Sequence, residues 1–357
     1  MRILVLDTYY PAFLSSHYDG RPDLAEAPYD VQWRALMDRF FGTSDAYSHY
    51  LGGLGHEAQE IVVNCEPLQR AWALEHGATP VRRVRWPGHG SLVLAQAEEF
   101  RPDVVYVQDL NVFSPRALRA LRSRSRLLVG QIASAVPRED RLASYDLLLS
   151  SFPHFVQMFR TAGIASEYLP LAFDPRVLDN VHDETKSEGV VFIGGLSAGP
   201  HGKGNALFER AAQRVPVDFW GYGAEGWPQD SAIRRGYHGE AWGLDMYRVL
   251  RRAKIALNRH IDLADDHANN MRLYEATGVG RLLVTDAKKN LSELFAPGEE
   301  VVVYTDADDL VTKIRHYLDD EEERVRIARA GQERTLRDHT YSHRMRELVD
   351  LLARCLS

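Results

Sequence analysis

The sequence predicts an α/β fold made of two similar halves, each a parallel sheet with helices on both faces, with a cleft between them. Three observations carry this reading. At 357 residues the chain exceeds one ordinary core. Short apolar runs alternate with helical patterns along its length, as in parallel βαβ units. The alternation breaks once, over a proline-bearing polar stretch, and then restarts.

In the first half, strands are expected at "RILVLD" (2–7), "EAQEIVVN" (57–64), "DVVYVQD" (103–109), "RLLVGQI" (126–132) and "YDLLLSS" (145–151). Each is a β-branched or leucine-rich run that polar or turn residues follow directly. The stretch "VQWRALMDRFFGTSDAYSHYLGGLG" (31–55) reads as helical. The connection "DTYYPAFLSSHYDGRPDLAEAPYD" (7–30) reads as a long loop, uncommon at that length unless functional or disordered. The run "EYLPLAFDPRVLDNVHDETKSEG" (167–189) carries Pro170 and Pro175 and a polar tail. It places a hinge at 175–188, between a first domain of 1–174 and a second of 189–340. Strands resume at "GVVFIGG" (189–195), "VDFWGYG" (217–223), "KIALN" (254–258), "RLLVTD" (281–286) and "EVVVY" (300–304), and a charged helical region follows from Asp308.

Apolar residues make up 45% and charged ones 26%, the balance of a soluble globular chain rather than a disordered one. The net charge of -7 gives no global pull toward nucleic acid or anionic lipid. The basic run "RALRALRSRSR" (116–126), at helical spacing, reads as a solvated face. Two cysteines, Cys65 and Cys355, form neither a framework of staples nor a four-thiolate zinc site, and such sparse usage suits a reducing cytosol. The N-terminal "MRILVLDTYY" turns polar too early for a signal peptide, and no apolar run approaches the about 20 residues of a membrane span. A cytoplasmic protein with no integral membrane segment and no nucleic-acid partner is expected; the oligomeric state is not legible.

The turn after the first strand has no glycine, so the dinucleotide fingerprint G-x-G-x-x-G is missing. The segment "FIGGLSAGPHGKGN" (192–205) is glycine-rich but spaced differently. Gly194, Gly195, Gly199, Gly202 and Gly204 let the backbone approach a ligand, and His201 and Lys203 add positive charge or donors before a helix at "NALFERAA". That combination suits a diphosphate. A flexible surface loop has the same composition.

In order along the second half, "VVFIGGL", "VDFWGYG", "YHGEAWGLDMYRVLRRAKIALN", "NNMRLYEATGVGRLLVTD" and "LSELFAPGEEVVVY" cover 189–304. This region resembles the nucleotide-binding domain of GT-B fold glycosyltransferases of the group 1-like kind, most closely the branch of the spore-maturation CgeB-like proteins. The terminal "DHTYSHRMRELVDLL" is similar to the family's closing helix, so 341–357 is expected to cross back to the first domain. The resemblance implies two Rossmann-like domains, a nucleotide-sugar donor held by the second, and a small-molecule or glycan acceptor held by the first. It implies that Glu275 accepts hydrogen bonds from the ribose, and a carboxylate with two acceptor oxygens suits a vicinal diol. Asn269 and Asn270 stand at the helix N-terminus, where free N–H groups favour a phosphate. Tyr222 and His238 fall near the base pocket. As an alternative, Glu275 is an ordinary exposed helix residue.

The chain departs from the family's pattern in two places. A second glutamate expected eight positions before Glu275 is His267, and an arginine expected after the first glycine of the opening loop is Gly195. Lys203, Arg259 or Arg272 can replace that charge, and Asn258 opens the loop "NRHIDLADDHANN" (258–270). Retention or inversion at the anomeric carbon is left open. His260, Asp262, Asp265, Asp266 and His267 have residue types that suit a divalent ion, but no recognisable ligand spacing. The resemblance implies metal independence and no cofactor, with the nucleoside diphosphate sugar as co-substrate.

In the first domain, Asp7, His17 and Asp19 are candidate general bases, with Asp109 after the third strand as another. Tyr9 and Tyr10 offer a platform for the acceptor, and Gln131 can contact donor sugar or acceptor. His56 reads as a structural turn residue. The expected function is metal-independent glycosyl transfer to a hydroxyl-type acceptor. The alternatives are a nucleotide-sugar epimerase and a non-catalytic nucleotide- or sugar-binding protein of surface or spore assembly.

Overall fold

The structure, a computed structural model, describes residues 1–78, 90–182, 188–197 and 202–357. The chain divides into two compact units. One comprises Met1–Pro170 with Tyr341–Ser357, the other Leu171–Thr340.

The first unit is built on β1 (Arg2–Asp7), β2 (Glu57–Val62), β3 (Val104–Val107), β4 (Leu127–Gln131), β5 (Leu147–Ser150) and β6 (Ser166–Tyr168). They form one parallel sheet in the order β2-β1-β3-β4-β5-β6. Ile3 to Leu6 of β1 and Val104 to Val107 of β3 are fully buried, so these strands are covered on both faces and read as unbroken apolar runs.

The second unit carries β7 (Glu188–Ile193), β8 (Asp218–Trp220), β9 (Ala253–Leu257), β10 (Leu282–Asp286) and β11 (Val302–Tyr304). All are parallel, in the order β11-β10-β9-β7-β8. Its core joins Phe192, Phe208, Phe219, Ile255, Val284, Tyr304 and Ile314. Every strand expected from the sequence forms. β6 was absent from that reading, because two of its three residues, Glu167 and Tyr168, open the run taken as the break.

Three segments differ from expectation. Residues 31–55 hold two helices, Tyr29–Met37 and Ala46–Gly53, instead of one helical stretch. Between them Phe40 (φ 50°) and Ser44 (φ 48°) take left-handed backbone, and the Ser44 hydroxyl donates to the Met37 carbonyl at 2.6 Å. Residues 7–30 contain helices Pro11–Tyr18 and Pro22–Ala25, each started by a proline whose fixed φ is pre-set for a first turn. In 175–188, Pro175–Asp179 forms a 3-10 helix capped by Asp174 and belongs to the second unit; residues 183–187 lie outside the described residues.

The last helix, Tyr341–Leu356, returns to the first unit and packs on helix Ala46–Gly53. It buries Tyr341, Met345, Leu348 and Leu352, and Arg126 Nη2 donates to the Leu356 carbonyl at 3.0 Å. Among the described residues, no helix is long and apolar enough to cross a membrane.

Candidate active site

In the second unit the chain leaves β7 for β8 on one side and returns to β9 on the other. The loops after β7 and β9 therefore part at the carboxyl ends of the strands, the position where an open α/β sheet takes a ligand.

The loop after β7 is held from beneath. Gly194 N–H donates to the Trp220 carbonyl at 2.9 Å and Leu196 N–H to the Tyr222 carbonyl at 2.7 Å. Gly221 (φ +130°) has no room for a side chain, since a Cβ there would lie 2.0 Å from the Gly194 carbonyl oxygen. Arg259 reaches across from the loop after β9. Its Nη2 donates to the Gly195 carbonyl and to Asn205 Oδ1, both at 2.6 Å, and its guanidinium lies 5.3 Å from the centre of the Phe192 ring. Burial brings its pKa down to about 10. Arg259 therefore clamps the glycine loop at Gly195, the position where the sequence lacks an arginine. At Gly204 a Cβ would lie 2.1 Å from Arg259 Cδ, so that glycine serves the clamp.

Asn258 and Asn270 build the second wall. Asn270 caps helix Met271–Gly278 by accepting from Leu273 N–H at 3.3 Å. Its Nδ2 donates to Asn258 Oδ1 at 2.8 Å and to the Arg259 carbonyl at 3.0 Å. Asn258 Nδ2 donates to Thr285 Oγ1 at 3.0 Å. Both amides expected to meet a ligand are committed to the framework, and Asn269 is buried beside them. Glu275 is buried too, which corrects the reading of it as an ordinary exposed residue. Its Oε2 pairs with Arg272 Nη1 at 2.9 Å, which leaves Oε1 for another donor. Burial raises its pKa and Arg272 opposes that shift.

Lys203 is exposed in the first turn of helix Gly202–Ala212 and makes no ion pair or hydrogen bond with the described residues. Gly199 and His201 lie outside the described residues. Tyr222 lies parallel to Trp242, with ring centres 6.1 Å apart. His238 stacks over Trp220 at 5.1 Å, and its Nε2 meets Asp218 Oδ1 at 2.7 Å.

A cavity of about 490 Å³ opens at the carboxyl ends of β9, β10 and β11, lined in part by Lys203, Arg259, His260, Asp262, Asp265 and Asp286. His260 and Asp286 are bonded, Nδ1 to Oδ1 at 2.7 Å. Burial pushes the Asp286 carboxyl up, but the bond from His260 and the charge of Lys288 bring it below the usual range. Sequence reasoning missed this pair because 26 residues separate its members. Among the described residues, His316, Asp320 and Glu323 are the group whose ligand atoms converge, within 4.8 Å of one another, rather than those of 260–267.

In the first unit, β1 and β3 are neighbours, and this brings Asp7 and Asp109 to one sheet edge. Thr8 links them: its N–H donates to Asp7 Oδ1 at 2.7 Å and its hydroxyl to Asp109 Oδ2 at 2.9 Å. Burial lifts the Asp7 pKa to about 7; the Thr8 bond lowers it and the Asp109 charge raises it. Gln131 ends β4, where its Oε1 accepts from Tyr106 at 2.6 Å and from Tyr47 at 3.0 Å.

Two expectations for this unit are corrected. Tyr9 is no platform: it is buried edge-on against Phe13 and Phe41, while Tyr10 is 52% exposed. His17 is buried as well, and its Nδ1 lies 3.1 Å from Arg21 Nη2. Burial, then Arg21 and Arg39, bring its pKa down to about 4, too low for a base working at neutral pH. Asp19 is exposed in the turn after the helix of His17. His56 meets the N-terminal ammonium at 3.1 Å, a structural contact. Sequence reasoning also missed Glu60, a buried carboxyl in β2 that burial lifts to about 7.

Residues 203–350 match the glycosyl transferase-like family. No curated protein matches the chain. Solved structures are similar over the full length. Sucrose-phosphate synthase from Thermosynechococcus elongatus is 12% identical, with 99% of this chain and 98% of that one covered and a TM-score of 0.62. HepE from Anabaena, in complex with UDP and glucose, is 13% identical, with 99% of each chain covered and a TM-score of 0.64. A glycosyltransferase from Rickettsia africae is 10% identical, with 100% and 98% covered and a TM-score of 0.62. The fold is the GT-B architecture of two parallel-sheet α/β units.

Proposed function

We propose that the protein is a glycosyltransferase that moves a sugar from a nucleoside diphosphate sugar to a hydroxyl-type acceptor, without a metal. One observation carries the reading. The segment that matches the glycosyl transferase-like family carries Lys203 in the first turn of the helix after β7 and Glu275 in the helix after β9, and among the described residues nothing engages the Lys203 ammonium or Glu275 Oε1. In this reading Glu275 accepts from the ribose. Lys203, with the N–H groups that open its helix, offsets the charge of the departing diphosphate. The acceptor belongs to the first unit, where Asp7 takes its proton; a pKa of about 7 suits a base at neutral pH. That assignment makes the reaction inverting. Within the family we place the chain nearest the CgeB-like branch, on the motif order of 189–304, and in the cytoplasm. His267, which stands where a carboxylate is expected, favours a non-catalytic sugar-nucleotide-binding role as the second reading.

Thermal-shift titration with UDP, GDP, dTDP, ADP and CDP tests the proposal, since a ligand of the folded state raises Tm with its concentration. HepE was solved with UDP, so UDP heads the panel. Stabilisation by one diphosphate, lost in Glu275→Ala, is expected. No response to any of the five would overturn the reading. Turnover only when an acceptor is added separates transfer from epimerisation and from simple binding.

A further inference from the structure

Shortly after β11 comes helix Ala307–Asp319, and helix Glu321–Asp338 follows it, with Asp320 alone between them in non-helical backbone (φ −93°, ψ 89°). The first of these helices leaves the carboxyl end of β11 and runs for 13 residues, about 20 Å. Its last turn therefore stands apart from the strand ends that carry the nucleotide loops. The junction is firmly held. Asp320 N–H donates to the His316 carbonyl at 2.8 Å, and the buried Arg324 donates through Nη1 to the Tyr317 carbonyl at 2.7 Å. Across it three side chains converge. His316, Asp320 and Glu323 each place one ligand-type atom within 4.8 Å of the other two, and His316 Nε2 meets Glu323 Oε2 at 2.7 Å.

Helix capping explains the carboxylates but not the imidazole. Asp320 caps the second helix, its Oδ1 accepting from Glu323 N–H at 2.9 Å, and acids in a first turn suit the helix dipole. Capping requires no histidine of the preceding helix aimed at Glu323. One imidazole nitrogen with two carboxylate oxygens is a donor set for zinc, whereas magnesium and calcium take oxygen ligands. The five consecutive acids "DDEEE" (319–323) concentrate negative charge around it. In a tetrahedral zinc site neighbouring donors stand about 3.3 Å apart. The His316–Glu323 pair then opens by about 0.6 Å and Asp320 swings in. Those are small rotations for side chains that are about half and one-third exposed.

We propose that His316, Asp320 and Glu323 bind one zinc ion, with water in the fourth position, and that the ion staples the two helices across their junction. Zinc displaces the proton on His316 Nε2, which goes to solvent. The ion is structural and takes no part in glycosyl transfer.

The test is calorimetry on the full chain, stripped with EDTA and dialysed. ZnCl2 is titrated into the native protein, His316→Ala, Asp320→Asn and Glu322→Gln. Asparagine caps a helix as well as aspartate does, so Asp320→Asn removes a charged ligand and keeps the junction. Glu322→Gln removes a charge of the same run but none of the three ligands, and serves as the control. One zinc site is expected, its Kd weakened at least about tenfold in His316→Ala and in Asp320→Asn and unchanged in Glu322→Gln. Added ZnCl2 should raise the Tm of the native protein and leave that of His316→Ala in place. MgCl2 and CaCl2 should not compete. Four results overturn the inference: no zinc binding by the native protein, native binding by His316→Ala, an equal loss in Glu322→Gln, which is diffuse attraction to the acidic run, or displacement of zinc by magnesium or calcium.

Discussion

Asp7 lies at the end of β1 with its pKa at about 7, where burial and the Asp109 charge favour the protonated form and the Thr8 N–H favours the charged one. A base must be ionised to act, so turnover should rise with pH through about 7 and level off above it. Asp7→Asn keeps the bond from Thr8 and removes the proton acceptor. Its kcat should fall at least about 100-fold, the low end for general-base loss, and the acidic limb of the pH profile should vanish. The affinity for nucleotide should not change, because Glu275 and Lys203 belong to the other unit. A Kd that weakens in step with kcat would place Asp7 in binding rather than proton transfer. The same scale shows what sequence conceals. Asp7, Asp109 and Glu275 were legible as residues at strand ends or on a short helix. That Tyr9 is packed against Phe41, or that Arg259 spends its donors on Gly195 and Asn205, depends on partners more than 25 residues distant.

The strands were legible because burial on both faces makes each a short apolar run ended by turn residues. The helices between them were less so. Residues 31–55 have continuous helical composition, yet left-handed backbone at Phe40 and Ser44 splits them to let two short helices pack separately. Tertiary packing made that choice, and local propensity does not record it. Helix Met271–Gly278 is the element on which the nucleotide reading depends. It ends at Gly278, where a Cβ would lie 2.5 Å from the Phe173 ring. Phe173 is in turn fixed by its N–H bond to the His339 carbonyl at 2.8 Å. Gly278→Ala must therefore push the helix off Phe173 and displace Glu275 with it. Urea unfolding should show a loss of roughly 1–3 kcal/mol, the usual cost of overpacking, and the nucleotide Kd should weaken. Lost stability with an unchanged Kd would mean that the helix end yields locally and Glu275 stays in place.

Over the whole molecule the two units are unequal in chain terms. Residues Leu171–Thr340 are contiguous, whereas the first unit is completed only when the last 17 residues return to it. The returning helix is amphipathic, and Met345, Leu348 and Leu352 are fully buried against the first unit. Tyr341 adds a ring 6.1 Å from that of Tyr47, whose hydroxyl holds Gln131. Burial of Met345, Leu348 and Leu352 stabilises the first unit by roughly 4.5–9 kcal/mol, at about 1.5–3 kcal/mol for each large apolar group. That is of the order of a whole domain's net stability. A chain ending at Thr340 should therefore lose the first unit and keep the second. Hydrogen exchange separates the two cases. Amides of β1, β3 and β4 should exchange far faster in the shortened chain, those of β7, β9 and β10 at unchanged rates, and UDP binding should survive. Equal acceleration in both sheets would mean that the terminal helix supports the second unit as well, and that the first sheet is not the element it completes.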